Sequence, residues 1–234
     1  SKLGALGLAR SPIAPTFFST LDRAPFASTL RSLCLAGTRI DDGGLARLAA
    51  ATRLALTSLD LHRSDVHGSG LSSLAAAPHL AGLTELSLGG SRSVKAKGDQ
   101  AAAALGAWES LVDVTLDDCS LGDAGAAALA SLPSLRTLRI SGACLTAQGA
   151  AALGASASSK QLEVLDLGGY PGDPTIGPQG AAHLARGGFP ALRELVLSKQ
   201  RIGDAGVEAV ARAFPSLRKL DVADCRLGAA AIDA

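Results

Sequence analysis

The chain of 234 residues has no asparagine and no methionine, one tryptophan, one tyrosine and only 3% aromatic residues against 47% hydrophobic ones. With so few rings the apolar content is aliphatic, mostly Leu, Ala and Val. Small uniform side chains of that kind fit thin stacked layers better than one thick globular core. The formal net charge is +1, so bulk electrostatics offers no case for nucleic acid or for an anionic membrane surface. Cys34, Cys119, Cys144 and Cys225 form no CxxC pair and have no histidine at ligand spacing. Neither a zinc site nor a disulfide framework is indicated, and reduced thiols in a cytoplasmic compartment are expected. No apolar run reaches the roughly 18 residues that a membrane-spanning helix needs, and no charged-then-apolar leader opens the sequence. The chain begins at Ser1 and stops at Ala234 inside a repeat, so both ends read as cuts in a longer sequence.

What is present is a period. The phrase Leu-x-x-Leu-x-Leu begins at Leu30, Leu56, Leu83, Leu111, Leu135, Leu162, Leu192 and Leu217, with Val114, Ile140 and Val222 as apolar substitutes. The steps are 26, 27, 28, 24, 27, 30 and 25 residues. A repeat of this length marks a solenoid, in which each unit covers the apolar side of the one before it. The phrase alternates like a short strand with one buried face. The residues expected to stack as one inward column are Leu33, Leu59, Leu86, Val114, Ile140, Leu165, Leu195 and Leu220.

The second half of each unit is rich in Gly and Ala at helical spacing, as in Leu121-Gly122-Asp123-Ala124-Gly125-Ala126-Ala127-Ala128-Leu129-Ala130. Asp123 and Asp204 are placed to cap their own helices. Leu132-Pro133, Phe189-Pro190 and Phe214-Pro215 then end the helices three residues before the next leading Leu, because Pro cannot continue a helix. Trp108 occupies the same place ahead of Leu111 and is read as a core residue. Strand, helix and parallel strand in close succession predict an α/β fold: a right-handed solenoid, or horseshoe, with parallel strands on its concave face and helices on its convex face. Leu3-Gly4-Ala5-Leu6-Gly7-Leu8 lies 27 residues ahead of Leu30. Residues 1–29 therefore read as a degenerate capping repeat, and residues 1–234 as a single domain of about nine repeats, the last incomplete. Extra residues at Ser91 to Lys97 and Tyr170 to Thr175 are expected to loop out at the sheet edge.

These residues resemble the leucine-rich repeat family over nearly the whole chain, and the ribonuclease-inhibitor-like subfamily in detail. Many members carry Asn at the ninth position of the repeat. Here that column reads Thr38, Ser64, Ser91, Cys119, Ala143, Tyr170, Gln200 and Cys225. A buried Asn ladder is therefore ruled out, and the backbone groups in that column need other partners. The runs Gly125 to Ala130, Gly180 to Ala185 and Gly206 to Ala211 also resemble the Gly-Ala-Leu-Ala repeats of bacterial effectors injected into plant cells. In those proteins an F-box precedes the repeats, and they act as substrate receptors for host ubiquitin ligases. Nothing in residues 1–30 reads as an F-box. That resemblance would place the protein in host cytoplasm as the recognition arm of a larger chain.

Along each strand the residues flanking the middle Leu point away from the core. They make Asp60, Glu85, Asp113 and Asp166, joined by Asp117 and Asp118 just after a strand, a continuous negative stripe. Arg139 is the main cation in its middle, and Tyr170 is the aromatic contact candidate unless it fills the ninth-position column. The stripe is expected to attract a protein partner with a basic surface. A polar face kept for solubility alone is the competing reading. No catalytic constellation is apparent. His62, His67, His79 and His183 are scattered. Gly89-Gly90 and Gly168-Gly169 lack the context of a phosphate loop and read as close backbone packing. An open face offers Asp117-Asp118 little enclosure for acid–base work, and Cys34 beside Asp60 should not have a lowered pKa. The expected function is non-enzymatic protein binding by a monomer without cofactor or metal, or alternatively regulation or inhibition of an enzyme in the manner of ribonuclease inhibitor.

Overall fold

The computed structural model describes residues 2–90 and 98–228. Nine three-residue strands form one parallel sheet in strict chain order. They are β1 (Ala5–Gly7), β2 (Ser32–Cys34), β3 (Ser58–Asp60), β4 (Glu85–Ser87), β5 (Asp113–Thr115), β6 (Thr137–Arg139), β7 (Val164–Asp166), β8 (Glu194–Val196) and β9 (Lys219–Asp221). Eight α-helices are described: α1 (Phe17–Arg23), α2 (Asp42–Ala49), α3 (Gly68–Ala75), α4 (Gly98–Leu105), α5 (Asp123–Ala130), α6 (Ala147–Gly154), α7 (Gly177–Gly187) and α8 (Gly203–Ala213). From α2 onward each packs on the helix of the next unit. Helices of two or three turns are marginal alone; here each buries an apolar stripe against its own strand and its neighbours.

The register carries Leu6, Leu33, Leu59, Leu86, Val114, Leu138, Leu165, Leu195 and Leu220 into one column. This corrects one expected member. Ile140 is not in that column; Leu138 is, and Ile140 lies two residues further on beside Leu116 and Leu167. Val114 replaces the second Leu of its phrase and Ile140 the third, so the two substitutions belong to different layers. The whole column from Leu33 to Leu195 is buried, as are Trp108, Phe189 and Phe214. The Trp108 indole N–H donates to the Leu80 carbonyl at 3.2 Å, and Phe189 meets Phe214 edge-on with centroids 5.7 Å apart. Trp108 is a core residue, as its spacing predicts.

The ninth-position column meets the missing-Asn problem only in part, since the Ser64 hydroxyl is buried without a hydrogen-bond partner. Thr38 Oγ1 donates to Leu35 O at 2.7 Å, and Cys225 Sγ to Leu197 O at 2.9 Å. Gln200 does most: its Nε2 donates to Leu167 O at 2.6 Å and its Oε1 accepts the Ile176 N–H at 2.9 Å. The extra methylene of Gln reaches across the inserted stretch between β7 and α7. Ser91 and the rest of the first expected insertion lie outside the described residues.

Helix capping also departs from expectation. Asp123 and Asp204 do not cap their own helices. Asp123 Oδ1 accepts the N–H groups of Thr146 and Gly149, both at 2.9 Å, at the start of the following helix α6. Asp204 Oδ1 accepts the Gly228 N–H at 2.8 Å, one unit further along. Asp99 serves α5 in the same way, through Gly122 N at 2.7 Å and Gly125 N at 3.0 Å, and Asp42 receives the His67 N–H ahead of α3. An aspartate in the first turn of one helix thus satisfies the free N–H groups of the next. Solenoid stacking brings the two starts side by side, within reach of a short carboxylate. The glycine three residues into α5 follows from this contact: a Cβ on Gly125 would lie 2.4 Å from Asp99 Oδ1.

Candidate protein-binding surface

The sheet face presents two outward residues per strand, and register sets their neighbours. Glu85 sits beside Asp113, and Asp60 beside Ser87. Thr115, Arg139 and Asp166 follow one another in a row. Ser58, Asp60, Glu85, Ser87, Asp113, Thr115 and Arg139 line a shallow concavity of about 300 Å³. Arg139 Nη1 lies 3.6 Å from Asp113 Oδ2, both side chains being more than a third exposed, a geometry that contributes at most about 1 kcal/mol. Burial raises the Asp113 pKa above the ordinary carboxylate value; Arg139 opposes the shift and Glu85 adds to it. Burial is therefore the main cause of the raised value, and the Arg139 attraction outweighs the Glu85 repulsion.

The expected site residues fall into two sets. Asp60, Glu85, Asp113, Arg139 and Asp166 share the sheet face, with Arg139 set between Asp113 and Asp166. Asp117, Asp118 and Tyr170 lie on the turns beyond the strand ends. Asp117 Oδ1 accepts the Ser141 N–H at 2.7 Å. Burial raises its pKa, the Ser141 bond lowers it, and Asp166 and Asp118 raise it again. The turn therefore encloses Asp117 more than the open face had implied. Asp118 adopts a left-handed backbone, φ 60°, and a Cβ on Gly142 would meet both the Tyr170 ring and Asp118 Oδ1. Tyr170 is half-buried against that glycine.

Several carboxylates also hold the backbone. Asp60 Oδ1 accepts the His62 N–H, Asp166 Oδ1 that of Gly168, both at 2.9 Å, and Asp221 Oδ1 that of Ala223 at 3.0 Å. Each closes an Asx turn where the strand ends. Asp166 Oδ1 further receives Ser141 Oγ at 2.6 Å, and Asp60 Oδ2 faces Cys34 Sγ at 3.3 Å. Burial, with Asp60 alongside, raises the Cys34 pKa, as expected from its surroundings. Burial next to Asp117 and Asp118 pushes Cys119 up to about 12. Both thiols stay protonated and are poor nucleophiles at neutral pH. Glu85 and Asp113 hold no such turn; Asp113 faces Arg139 at 3.6 Å, and Glu85 stands beside Asp113 on the adjacent strand.

Sequence reasoning missed two features. Ser141 links Asp117 to Asp166, and only the alignment of adjacent turns reveals it. The second is a concavity of about 330 Å³ on the rim at the strand C-terminal ends, lined by Ala9, Arg10, Ala36, Gly37, His62 and Arg63. Arg10, Gly37 and Arg63 are the eighth residues of three consecutive units, a signal present in the repeat alignment. The glycine pair Gly89-Gly90 does mark close packing: Cβ atoms there would lie 3.0 Å from His62 Nδ1 and 2.7 Å from its Nε2.

No helix among the described residues is long and apolar enough to cross a membrane. No curated protein matches the chain significantly. The pattern described as Leucine Rich repeat matches residues 131–154. Among solved structures the chain is similar to an internalin, InlF, from Listeria monocytogenes, at 15% identity and TM-score 0.59 over 98% of this chain and 57% of that one. The chain thus spans somewhat more than half of the internalin's length. It is also similar to the leucine-rich repeat-containing protein LegL7 from Legionella pneumophila, at 17% identity and TM-score 0.49 over 93% of this chain and 82% of that one. The yeast Rad7 and Elc1 complex aligns at 18% identity and TM-score 0.47, over 96% of this chain and 70% of that one. With its regular Leu columns and its nine parallel strands in chain order, the chain folds as an α/β leucine-rich repeat solenoid, and the family pattern itself matches it at residues 131–154.

Proposed function

We propose that the protein is a non-enzymatic binding module that takes a protein partner with a basic surface on its concave sheet face. One observation carries this reading: Glu85 and Asp113 stand side by side in register over an open concavity, and neither holds a turn. Two neighbouring carboxylates with a single flanking arginine create a site that a lysine or arginine from a partner would neutralise. The other carboxylates of the face, Asp60 and Asp166, add to the field while keeping their turns closed. A surface of this type steers association through long-range attraction, which salt screens.

The test is selection of binders from a displayed random-peptide library against the full chain, followed by binding measurements at low and high salt. Lys/Arg-rich binders are expected. They should weaken on the double substitution Glu85→Gln/Asp113→Asn, which preserves shape, and weaken again as salt rises. Binders without basic residues, or basic binders indifferent to both changes, would refute the reading.

A further inference from the structure

The rim concavity has the opposite chemistry to the sheet face. We propose that the cleft between Arg10 and Arg63 binds the phosphate group of a phosphorylated side chain presented by a protein partner. Beyond the strands the parallel backbone ladder continues: Arg10 N donates to Ala36 O, Gly37 N to His62 O and Arg63 N to Gly89 O, each at 2.7 Å. Arg10, Gly37 and Arg63 are therefore held in one row, and all three adopt the left-handed backbone, with φ 59°, 68° and 57°. The two arginines stand two strand spacings apart, about 10 Å between their backbones. The Arg63 stem rests over Gly90, with Cγ 2.8 Å from where a Cβ would be, so closing both guanidiniums on one compact anion takes a swing of the long Arg63 side chain back toward Arg10.

Gly37 makes the gap. Its hydrogen leaves the floor of the cleft open, and the Arg10 stem lies across it, with Cγ only 3.2 Å from where a Cβ would be. Any side chain at this position would push Arg10 away. Both arginines are exposed. Among the described residues neither has an ion pair or a side-chain hydrogen bond within the protein, whereas Arg136, Arg139 and Arg212 are each matched with a carboxylate. Two unpaired guanidiniums supply two positive charges and fork-shaped donors, which match a phosphate monoester of about −1.5 to −2 charge better than a single carboxylate.

The surroundings favour a protein over a lipid bilayer as the carrier of the phosphate. Leu227 is the only exposed large hydrophobic side chain among the described residues, and it lies at the other end of the solenoid. The adjoining sheet face, with Asp60, Glu85 and Asp113, would repel an anionic membrane laid against this edge. This inference stands apart from the proposed basic partner of the sheet face, since it uses different residues and ligand charge.

The test uses the full chain with backbone amide NMR and four probes: inorganic phosphate, a short Gly/Ser peptide carrying one phosphoserine, its unphosphorylated form, and vesicles containing a phosphoinositide. Saturable shifts confined to Arg10, Gly37, Arg63 and their neighbours are expected with the phosphopeptide. The unphosphorylated peptide should leave them unmoved, and inorganic phosphate should bind more weakly. Arg10→Gln and Arg63→Gln should each weaken the phosphopeptide roughly tenfold. Arg39→Gln, which removes the same charge from the same rim outside the cleft, should change it less than about threefold. Equal losses in all three variants would reduce the effect to a diffuse field and overturn the proposal. Absence of localised shifts, inorganic phosphate binding as tightly as the phosphopeptide, or stronger binding to the vesicles would also overturn it. Glu85→Gln/Asp113→Asn should leave this binding intact, so the two readings fail separately.

Discussion

Asp99→Ala tests whether capping crosses from one repeat to the next. Helix α5 has Gly122 at its N-cap and no side-chain cap of its own. Its first N–H groups are satisfied by Asp99 of the preceding repeat, through Gly122 and Gly125. Removing an N-cap acceptor costs about 0.5–2 kcal/mol. Asp99 is partly buried and serves two donors, so the upper half of that range, about 1–2 kcal/mol, is expected. Asp123 likewise accepts the Thr146 and Gly149 N–H groups, and the Thr146 hydroxyl besides, so Asp123→Ala should have a similar cost of about 1–2 kcal/mol, felt in α6. Repeat arrays do not always unfold in one step, so the assay is amide hydrogen exchange read helix by helix. Asp99→Ala should lower protection in α5 by roughly 5- to 30-fold while sparing α4, which contains the substituted residue. Asp99→Asn retains an acceptor and should recover most of the loss. Protection lost mainly in α4, or unchanged in α5, would refute relayed capping.

Two further predictions follow from the same geometry. Gly125→Ala should destabilise by roughly 1–3 kcal/mol by denaturant unfolding despite the better helix propensity of Ala, because its Cβ would fall 2.4 Å from Asp99 Oδ1; the Asp99→Ala/Gly125→Ala double variant should lose less than the sum of the two. The folded protein raises the pKa of Asp117 above its ordinary value, so the carboxyl contributes stability at pH values below the usual carboxylate pKa and loses it as pH rises through the folded value. Asp117→Asn keeps an acceptor for the Ser141 N–H and should be more stable than the parent at pH 7 but not at pH 3; an unfolding midpoint lowered equally at both would refute this.

The repeat was legible in the Leu spacing because a sheet core one layer deep demands an apolar residue at each crossing. Positions with one geometric requirement, such as Leu33, Leu59, Trp108 and Phe189, could be read directly. Ile140 belonged to the other layer by the same count, being the sixth residue of the phrase that opens at Leu135 while Leu138 is the fourth, and the pairing of Leu138 with Val114 bears that count out. Aspartates were the hardest to interpret. Asp123 looks like the cap of the helix it begins, and only stacking shows that the next helix is nearer to its carboxylate. Asp60, Glu85 and Asp113 appear alike along the chain, yet the first closes a turn and the other two do not.

The sequence by itself determined the period, the alternation of strand and helix, and which side chains flank each inward Leu, because these follow from local periodicity and burial. The tertiary structure decided which carboxylates are occupied, how Arg139 divides them, and that Arg10, Gly37 and Arg63 line one concavity. Those outcomes depend on distances between residues some 25 to 53 positions apart, set by register between repeats rather than by anything neighbouring residues encode.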